Sequence, residues 1–225
     1  MKINNPYAFL SPSQLPSPRV LGVTGGLATG KSFVVQLLKA KGAVTFSADE
    51  ASRAILIPRG AVLREVATAF GPEAITPEGN LAREWLGKRI FADTQSRKQL
   101  ERITHPPILR LLHAQIESAL YDVSPQKVIV VEIPLLFETN LQDWFELIVV
   151  VSASESAQIA RLQTRNGLDA SEARRRLAAQ WPLSTKMACA DVVIQNEGSR
   201  EEVAQTVDAL WNRIHSQQTL LSSRI

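Results

Sequence analysis

A run of eight residues near the start of the chain has the composition and spacing of a phosphate-binding loop. Residues 25–32 read Gly-Gly-Leu-Ala-Thr-Gly-Lys-Ser and match the pattern G-x-x-x-x-G-K-[ST] in full. Glycines allow backbone N–H groups to point at phosphate oxygens, and the helix that follows directs the positive end of its dipole at the same anion. The sequence therefore predicts that residues 25–32, the glycine loop, bind a nucleoside triphosphate.

Two side chains at the end of the glycine loop have predicted chemical roles. Lys31 is expected to reach the β- and γ-phosphates, and the hydroxyl of Ser32 is expected to ligate Mg²⁺. An Asn-Lys-x-Asp segment, which would specify guanine, does not occur in the sequence, and this favours ATP over GTP. The predicted ATP-binding residues of this region are Gly25, Gly26, Leu27, Ala28, Thr29, Gly30, Lys31, Ser32 and Phe33.

Carboxylates stand at the ends of two predicted strands. Asp49 could accept a proton from an attacking hydroxyl, beside the glycine loop if the first two strands are neighbours. It could instead cap a helix that begins at Glu50. Glu132 could hold the water shell of a metal ion, or it could face solvent. The residues alone leave both pairs of alternatives open.

Basic residues concentrate beyond residue 150. Arg161 and Arg165 are four residues apart, so they share one face of a predicted helix. Kinases with a phosphate-binding loop close a helical lid over the phosphates, and arginines in the lid neutralise charge during transfer. Arg165, just before the turn at Gly167, is the predicted lid residue, whereas the three arginines at 174–176 are expected to form a solvated basic face.

Alternating strands and helices are predicted to position these residues. Short apolar runs predict strands at residues 20–24, 43–46, 127–133, 147–151 and 191–194. Helical patterns cover residues 31–41, 48–120, 154–165, 169–180 and 200–216. Runs of β-branched residues are typical of parallel strands that are buried on both faces. The pattern predicts a doubly wound α/β domain of about five parallel strands, with a helical insertion after the second strand.

Length and composition restrict the class of protein. The 225 residues are 45% apolar and 21% charged, the mix of an ordinary globular chain. No apolar run reaches the roughly 18 residues of a membrane span, and the single Cys189, expected to be buried, cannot form an internal disulfide. A net charge of +3 is too small to indicate nucleic-acid binding. Residues 1–18 are expected to be a mobile tail.

Six ordered segments between residues 19 and 198 carry a family resemblance: GVTGGLATGKS, SADEASR, HPPI, IPLLFE, RLQTRNGLD and ADVVIQNEG. Together they resemble the dephospho-CoA kinase family. The resemblance implies transfer of the γ-phosphate of ATP, with Mg²⁺, to the ribose 3′-hydroxyl of dephospho-CoA, which completes coenzyme A. It also implies a single P-loop kinase domain over residues 19–225, which contains a helical CoA-binding insertion at about 57–125 and a helical lid at about 154–185.

The resemblance also implies roles for individual residues. Asp49 would contact the acceptor ribose and act as general base, and Lys31 and Arg165 would complete the catalytic set. Asn196 would border the adenine of ATP, and Mg²⁺ would be held by Ser32, with Glu132 reaching it through water. The implied substrate-binding residues are Asp49, Arg53, His105, Pro134, Leu135, Leu136 and Arg161.

Two positions need separate treatment: Ser47 departs from the family's pattern, and His105 has an alternative role. Ser47 stands where the family has a first acid in its D-A-D segment, so the general-base role falls on Asp49 alone. His105, which precedes two prolines near an expected helix start, could also be a capping or packing residue.

The sequence leaves two other functional classes open. One is another small-molecule P-loop kinase, such as one that acts on a nucleoside or a nucleoside monophosphate. The other is a regulatory module that binds ATP without an acceptor. The expected partners are ATP and dephospho-CoA, with no nucleic acid or membrane. A cytoplasmic location and a monomer or weak homo-oligomer are expected.

Overall fold

Five strands form one sheet in the order β2-β3-β1-β4-β5. The computed structural model describes residues 20–122 and 128–222, and the tail predicted at 1–18 lies outside them. β1 runs parallel to β3 and β4, and β4 runs parallel to β5. The strands are β1 Val20–Gly25, β2 Val44–Ser47, β3 Ile129–Glu132, β4 Leu147–Ser152 and β5 Val192–Gln195.

The predicted strands and the α/β class are confirmed. Every strand begins and ends within about two residues of its predicted bounds. Lys127, the predicted first residue of the third strand, lies outside the described residues. All four residues of β3 are buried, as are five of the six in β4. Burial of this extent explains why these segments read as continuous β-branched runs without polar alternation.

Nine α-helices lie in the described part of the chain. The helical block expected at 48–120 contains four of them: segments with Pro and Gly separate the first three, and Asp93 alone separates the last two. α8 was not predicted, because six residues are too few to show a helical period. The helices are α1 Lys31–Ala40, α2 Ala48–Ile55, α3 Ala61–Phe70, α4 Arg83–Ala92, α5 Thr94–Asp122, α6 Glu155–Asn166, α7 Ala170–Ala178, α8 Leu183–Ala188 and α9 Arg200–Ser222.

The chain divides into two compact units. One contains the sheet and consists of the described residues of Met1–Phe46 and Ala119–Ile225. Its core packs buried side chains of the strands against α1 and α9, including Val23, Val149 and Val207. The second unit is Ser47–Ser118, with a small core of its own around Phe70 and Leu86. The substrate-binding insertion expected at about 57–125 and the lid at about 154–185 are functional divisions and stay predictions.

Two expectations from composition have different outcomes. Within residues 20–122 and 128–222, no helix is both long enough and apolar enough to cross a membrane. The expectation that Cys189 is buried is wrong, because this residue is exposed at the end of α8. It caps the helix at the surface before β5 begins.

Gly22, in the middle of β1, allows unusually close packing in the core. A Cβ atom at this position would lie 2.8 Å from Leu136 Cδ1 and 2.8 Å from the Phe145 ring. Real carbon atoms do not approach so closely, so the absence of a side chain lets both neighbours lie against the strand.

We expect Gly22→Ala to lower the free energy of unfolding by about 1–3 kcal/mol, because the added methyl group overpacks the core. Gly87→Ala is the matched control: it lies inside α4, and a Cβ there would meet nothing within 4 Å. It should raise the free energy of unfolding by up to about 1 kcal/mol through helix propensity. Urea unfolding followed by circular dichroism measures both, and equal stability of the two variants would contradict the packing argument.

Candidate active site

The glycine loop joins β1 to α1, the strand–loop–helix arrangement that the motif requires. Gly30 is the residue before α1 and has a left-handed backbone with φ of 93°. A Cβ on Gly30 would lie 2.1 Å from Asn196 Nδ2, so both the backbone conformation and the space demand glycine. α1 begins at Lys31 and has no acidic residue in its first turn. No acidic side chain of α1 itself therefore lies at the N-terminal end of its dipole.

The ammonium group of Lys31 lies against the backbone of the glycine loop. Lys31 Nζ donates to the carbonyl oxygens of Gly26 at 2.7 Å and Gly25 at 3.4 Å. Thr29 Oγ1 donates to the same Gly26 oxygen at 2.9 Å. Lys31 is only 9% exposed, so its charge is held within the loop and not in bulk solvent.

Ser32 and Glu132 come together at the carboxyl ends of β1 and β3. Ser32 Oγ donates to Glu132 Oε1 at 2.9 Å, and Glu132 is 8% exposed. The alternative in which Glu132 faces solvent is therefore wrong. A hydroxyl and a carboxylate are hard oxygen ligands of the kind that Mg²⁺ prefers, so this pair fits the predicted metal.

The side chain of Arg161 supports the glycine loop by donating hydrogen bonds to the backbone of the loop. Its Nη1 group donates to the carbonyl oxygens of Ala28 at 3.2 Å and Thr29 at 3.4 Å, and its Nη2 group donates to the Asn196 carbonyl oxygen at 2.8 Å. Asn196 Nδ2 in turn donates to the Thr29 carbonyl oxygen at 2.8 Å. The structure thus brings Arg161 and Asn196, predicted from distant segments, to one loop.

Arg165 does not share these contacts. It lies in the exposed last turn of α6, and its Nε group donates to Asn166 Oδ1 at 3.0 Å. The helix ends there because Gly167 adopts a left-handed conformation with φ of 65°.

The predicted solvated face at 174–176 is confirmed: Arg174 and Arg176 form ion pairs with Glu155 and Glu172 on the surface.

Apolar contacts hold α6 and α7 against the glycine loop. Leu27 and Ala28 pack on a buried cluster formed by Ile159, Leu162 and Ala173. Gln158 of α6 also lies close to the loop, because a Cβ atom added to Gly26 would lie 2.6 Å from Gln158 Nε2. A side chain at position 26 would therefore displace the Gln158 amide group.

Of the residues predicted on the acceptor side, Asp49, Arg53 and His105 belong to the second unit, whereas the 134–136 turn and Arg161 belong to the first. Ser47 precedes α2, and Asp49 is the second residue of that helix, so the alternative of Asp49 as its N-cap is wrong. Asp49 and Arg53 are both exposed and stand four residues apart on α2, on one face. β3 lies between β1 and β2, so the strands preceding Asp49 and the glycine loop are not neighbours.

His105 lies in the interior of α5, not near a helix start. α5 begins at Thr94, where Asp93 accepts hydrogen bonds from the backbone of Gln95 and Ser96. Hydrogen bonding from Ser96 lowers the pKa of the Asp93 carboxyl. The capping alternative for His105 is therefore wrong. Its half-buried side chain lines a surface cavity with neighbouring charged residues of α5, namely Lys98, Glu101 and Arg102.

Comparison with known proteins decides what this arrangement belongs to. A family model described as Dephospho-CoA kinase matches residues 19–202, which is most of the chain and includes every predicted site residue. The chain belongs to the dephospho-CoA kinase family. It is therefore a kinase, and the enzyme class predicted from the sequence is confirmed.

Two dephospho-CoA kinases and one further solved structure are similar to this chain over nearly their whole length. The one from Syntrophotalea carbinolica is 43% identical over 195 residues, which cover 87% of this chain and 92% of that protein. Among solved structures, TT1252 from Thermus thermophilus has a TM-score of 0.72 at 30% identity, covering 88% of this chain and 98% of that one. The dephospho-CoA kinase from Campylobacter jejuni has a TM-score of 0.63 at 27% identity, covering 87% and 96%.

Sequence reasoning missed two polar residues of this kinase. Gln158 carried no signal, because its contact with Gly26 is made only in the folded chain. Lys186 lies in the unpredicted helix α8, and its Nζ group donates to the carbonyl oxygen of Pro134 at 3.1 Å. That bond reaches the 134–136 turn after β3, in which Leu136 is fully buried while Pro134 and Leu135 are partly exposed.

Arg161→Lys should weaken ATP binding about tenfold. The substitution keeps the charge but loses the planar fork that spans the Ala28, Thr29 and Asn196 carbonyl oxygens, and hydrogen bonds from a charged group are worth roughly 1.5–3 kcal/mol. Isothermal titration with ATP in the absence of an acceptor measures the Kd. Arg174→Lys, on the exposed face of α7, is the control and should bind ATP as the unaltered chain does. Equal Kd values for the two variants would show that Arg161 does not support the loop.

Proposed function

We propose that this chain transfers the γ-phosphate of ATP to the ribose 3′-hydroxyl of dephospho-CoA, giving coenzyme A and ADP. Membership of the dephospho-CoA kinase family supports this activity. The structural observation that carries it is the complete glycine loop between β1 and α1, with the Lys31 ammonium group held at its backbone. A loop of this form binds nucleotide phosphates through N–H groups and one lysine.

The nucleotide side of the proposal assigns the phosphates to the glycine loop. Lys31 exchanges its bond to the Gly26 carbonyl oxygen for a phosphate oxygen and offsets the negative charge that is transferred. Arg161 and Asn196 stabilise the conformation of the loop through their hydrogen bonds to the Thr29 carbonyl oxygen. Phe33, in the first turn of α1, and Asn196 are assigned to the nucleotide as well.

Ser32 and Glu132 are the residues that would hold Mg²⁺, Ser32 directly and Glu132 through a water molecule. Their oxygen atoms already lie 2.9 Å apart in a hydrogen bond. The described residues contain no cluster of three His, Cys, Asp or Glu side chains that could hold a metal ion alone. Phosphate oxygens and water would therefore complete the ligand set, and the ion would neutralise charge on the β- and γ-phosphates.

The acceptor side of the proposal depends on Asp49. The Asp49 carboxylate takes the proton of the ribose 3′-hydroxyl while that oxygen bonds to the γ-phosphorus, and the bond from phosphorus to the β–γ bridging oxygen breaks to release ADP. Arg53, His105 and the 134–136 turn bind the acceptor. Arg165, at the exposed end of α6, supplies positive charge to the transferring group.

Competing assignments differ in the acceptor. A nucleoside or nucleoside-monophosphate kinase would share the glycine loop but not the family match over residues 19–202. A regulatory module would bind ATP with turnover indifferent to dephospho-CoA. A cytoplasmic location, the absence of nucleic-acid and membrane partners, and a monomeric or weakly oligomeric state complete the proposal.

A panel of acceptors tests the activity itself. Release of ADP should depend on dephospho-CoA and should stay at the background rate with adenosine, AMP or shikimate, measured by a coupled assay. Turnover with AMP at the rate found with dephospho-CoA would favour the nucleotide-kinase assignment. Slow hydrolysis that no acceptor accelerates would favour the regulatory one.

Asp49→Asn should lower kcat by about 100-fold or more while leaving the Kd for ATP unchanged, because the amide cannot accept the hydroxyl proton. Glu50→Gln is a close control, since Glu50 is the next residue of α2 and is also exposed. Steady-state kinetics with dephospho-CoA and titration with ATP separate the two effects. Near-normal turnover of a folded Asp49→Asn variant would remove the general-base assignment.

A further inference from the structure

Lys186, in α8, is a fully buried cation that the proposed reaction does not use. Its exposed fraction is 0%, and its Nζ group donates to Glu138 Oε1 at 2.7 Å and to the Pro134 carbonyl oxygen at 3.1 Å. Lysines are almost never buried to this extent unless they are paired. The partners of Lys186 therefore indicate the role of this buried side chain.

The two partners connect three separate segments. The Pro134 carbonyl oxygen also accepts a hydrogen bond from Thr24 Oγ1 at 3.3 Å, and Thr24 directly precedes the glycine loop. Glu138 Oε1 also accepts the backbone N–H of Trp181 at 3.1 Å, from the residues between α7 and α8. The Lys186–Glu138 ion pair and the Thr24 hydrogen bond together thus connect the end of β1, the 134–136 turn and the chain leading into α8.

Stability alone does not account for a buried ion pair. The cost of removing two charges from water commonly exceeds their attraction, and well-packed apolar residues of similar volume are often at least as stable. Glu138 Oε2 is itself buried and makes no hydrogen bond in the described part of the chain. An apolar pair would offer no hydrogen-bond donor. The charged pair holds the Lys186 ammonium group in a fixed position, where it donates to the Pro134 carbonyl oxygen.

The position of that carbonyl group matters because of what precedes it. The backbone N–H of Ile133 makes a sheet hydrogen bond to the Val23 carbonyl oxygen at 2.9 Å, and the chain turns away from β1 at the next residue. Glu132, whose carboxylate accepts the Ser32 hydroxyl, is two residues before Pro134. The Thr24 donor therefore continues the attachment of this segment to β1 after the sheet bonds end, and the Lys186 donor attaches the same carbonyl group to α8.

We propose that Lys186 and Glu138 are positioning residues for phosphoryl transfer, which hold the 134–136 turn in register with the glycine loop. The inference rests on the proposed role of this turn in binding the acceptor. It assigns no contact with the reacting atoms to either residue. A displacement of about 1 Å in a positioning element can cost about 100-fold in rate, so the effect is expected in kcat and not in ATP affinity.

The experiment separates positioning from stability with paired variants. Lys186→Met leaves a buried carboxylate uncompensated and should lower Tm by about 10 °C. Lys186→Met combined with Glu138→Met removes both charges, so Tm should return to within a few degrees of the unaltered value. The kcat of this double variant with dephospho-CoA should nevertheless stay at least about tenfold low, while its Kd for ATP is unchanged.

Thr24→Val is a second test that leaves the ion pair intact. It removes the other donor to the Pro134 carbonyl group with little change of volume, and kcat should fall about threefold or more with Tm nearly constant. Lys41→Met is the control for removal of a lysine charge, because Lys41 forms a surface ion pair with Asp208 in the same unit. It should leave kcat unchanged.

The outcomes are decisive in each case. Native kcat in a double variant with recovered Tm would show that the pair is structural only and would overturn the proposal. Weakened ATP binding in that variant would overturn it as well, since the glycine loop itself would then be disturbed. If the double variant does not fold, native kcat in Thr24→Val overturns the proposal and a selective loss of kcat supports it. Failure of the proposed function would be seen separately, as no turnover of dephospho-CoA by the unaltered chain.

Discussion

The carbonyl oxygens of the glycine loop impose the constraint on which the site depends. A loop that offers its N–H groups to a ligand must satisfy its buried carbonyl groups elsewhere in the protein, since an unpaired buried acceptor costs about as much as a lost hydrogen bond. Here the donors come from Thr29, Lys31, Arg161 and Asn196. The ends of β1 and β5 and the helix α6 are thereby committed to one short loop, so the order of the strands and the shape of the loop are not independent.

The two ends of α6 have different surroundings, and this difference explains why Arg161 contacts the glycine loop while Arg165 does not. Its buried side places Ile159 and Leu162 against Leu27 and Ala28 and brings Arg161 to the loop backbone. Its last turn is exposed and carries Arg165. Residues one turn apart on one helix face therefore differ in role because the packing partner covers only part of that face.

Much of this arrangement could be predicted from the sequence because it is encoded locally. The glycine loop is contiguous, and the buried parallel strands show as runs of β-branched residues that need no tertiary information. What escaped prediction depends on distant contacts or on segments too short to show a period. α8 has six residues, the bonds of Arg161 reach residues more than 130 positions away, and the position of His105 inside α5 is masked by the two prolines that follow it. The residues alone left Asp49 open between a proton acceptor and a helix cap, and the family resemblance supplied the choice between them as well as the role of Arg53.

The exposure of Cys189 has a practical consequence for work on this protein. It is the single cysteine of the 225 residues, and its thiol is open to solvent at the end of α8. A maleimide dye or spin label would therefore attach at one defined site, three residues from Lys186, without prior removal of other thiols. The same thiol could join two chains by a disulfide under oxidising conditions, so subunit association has to be measured with a reductant present.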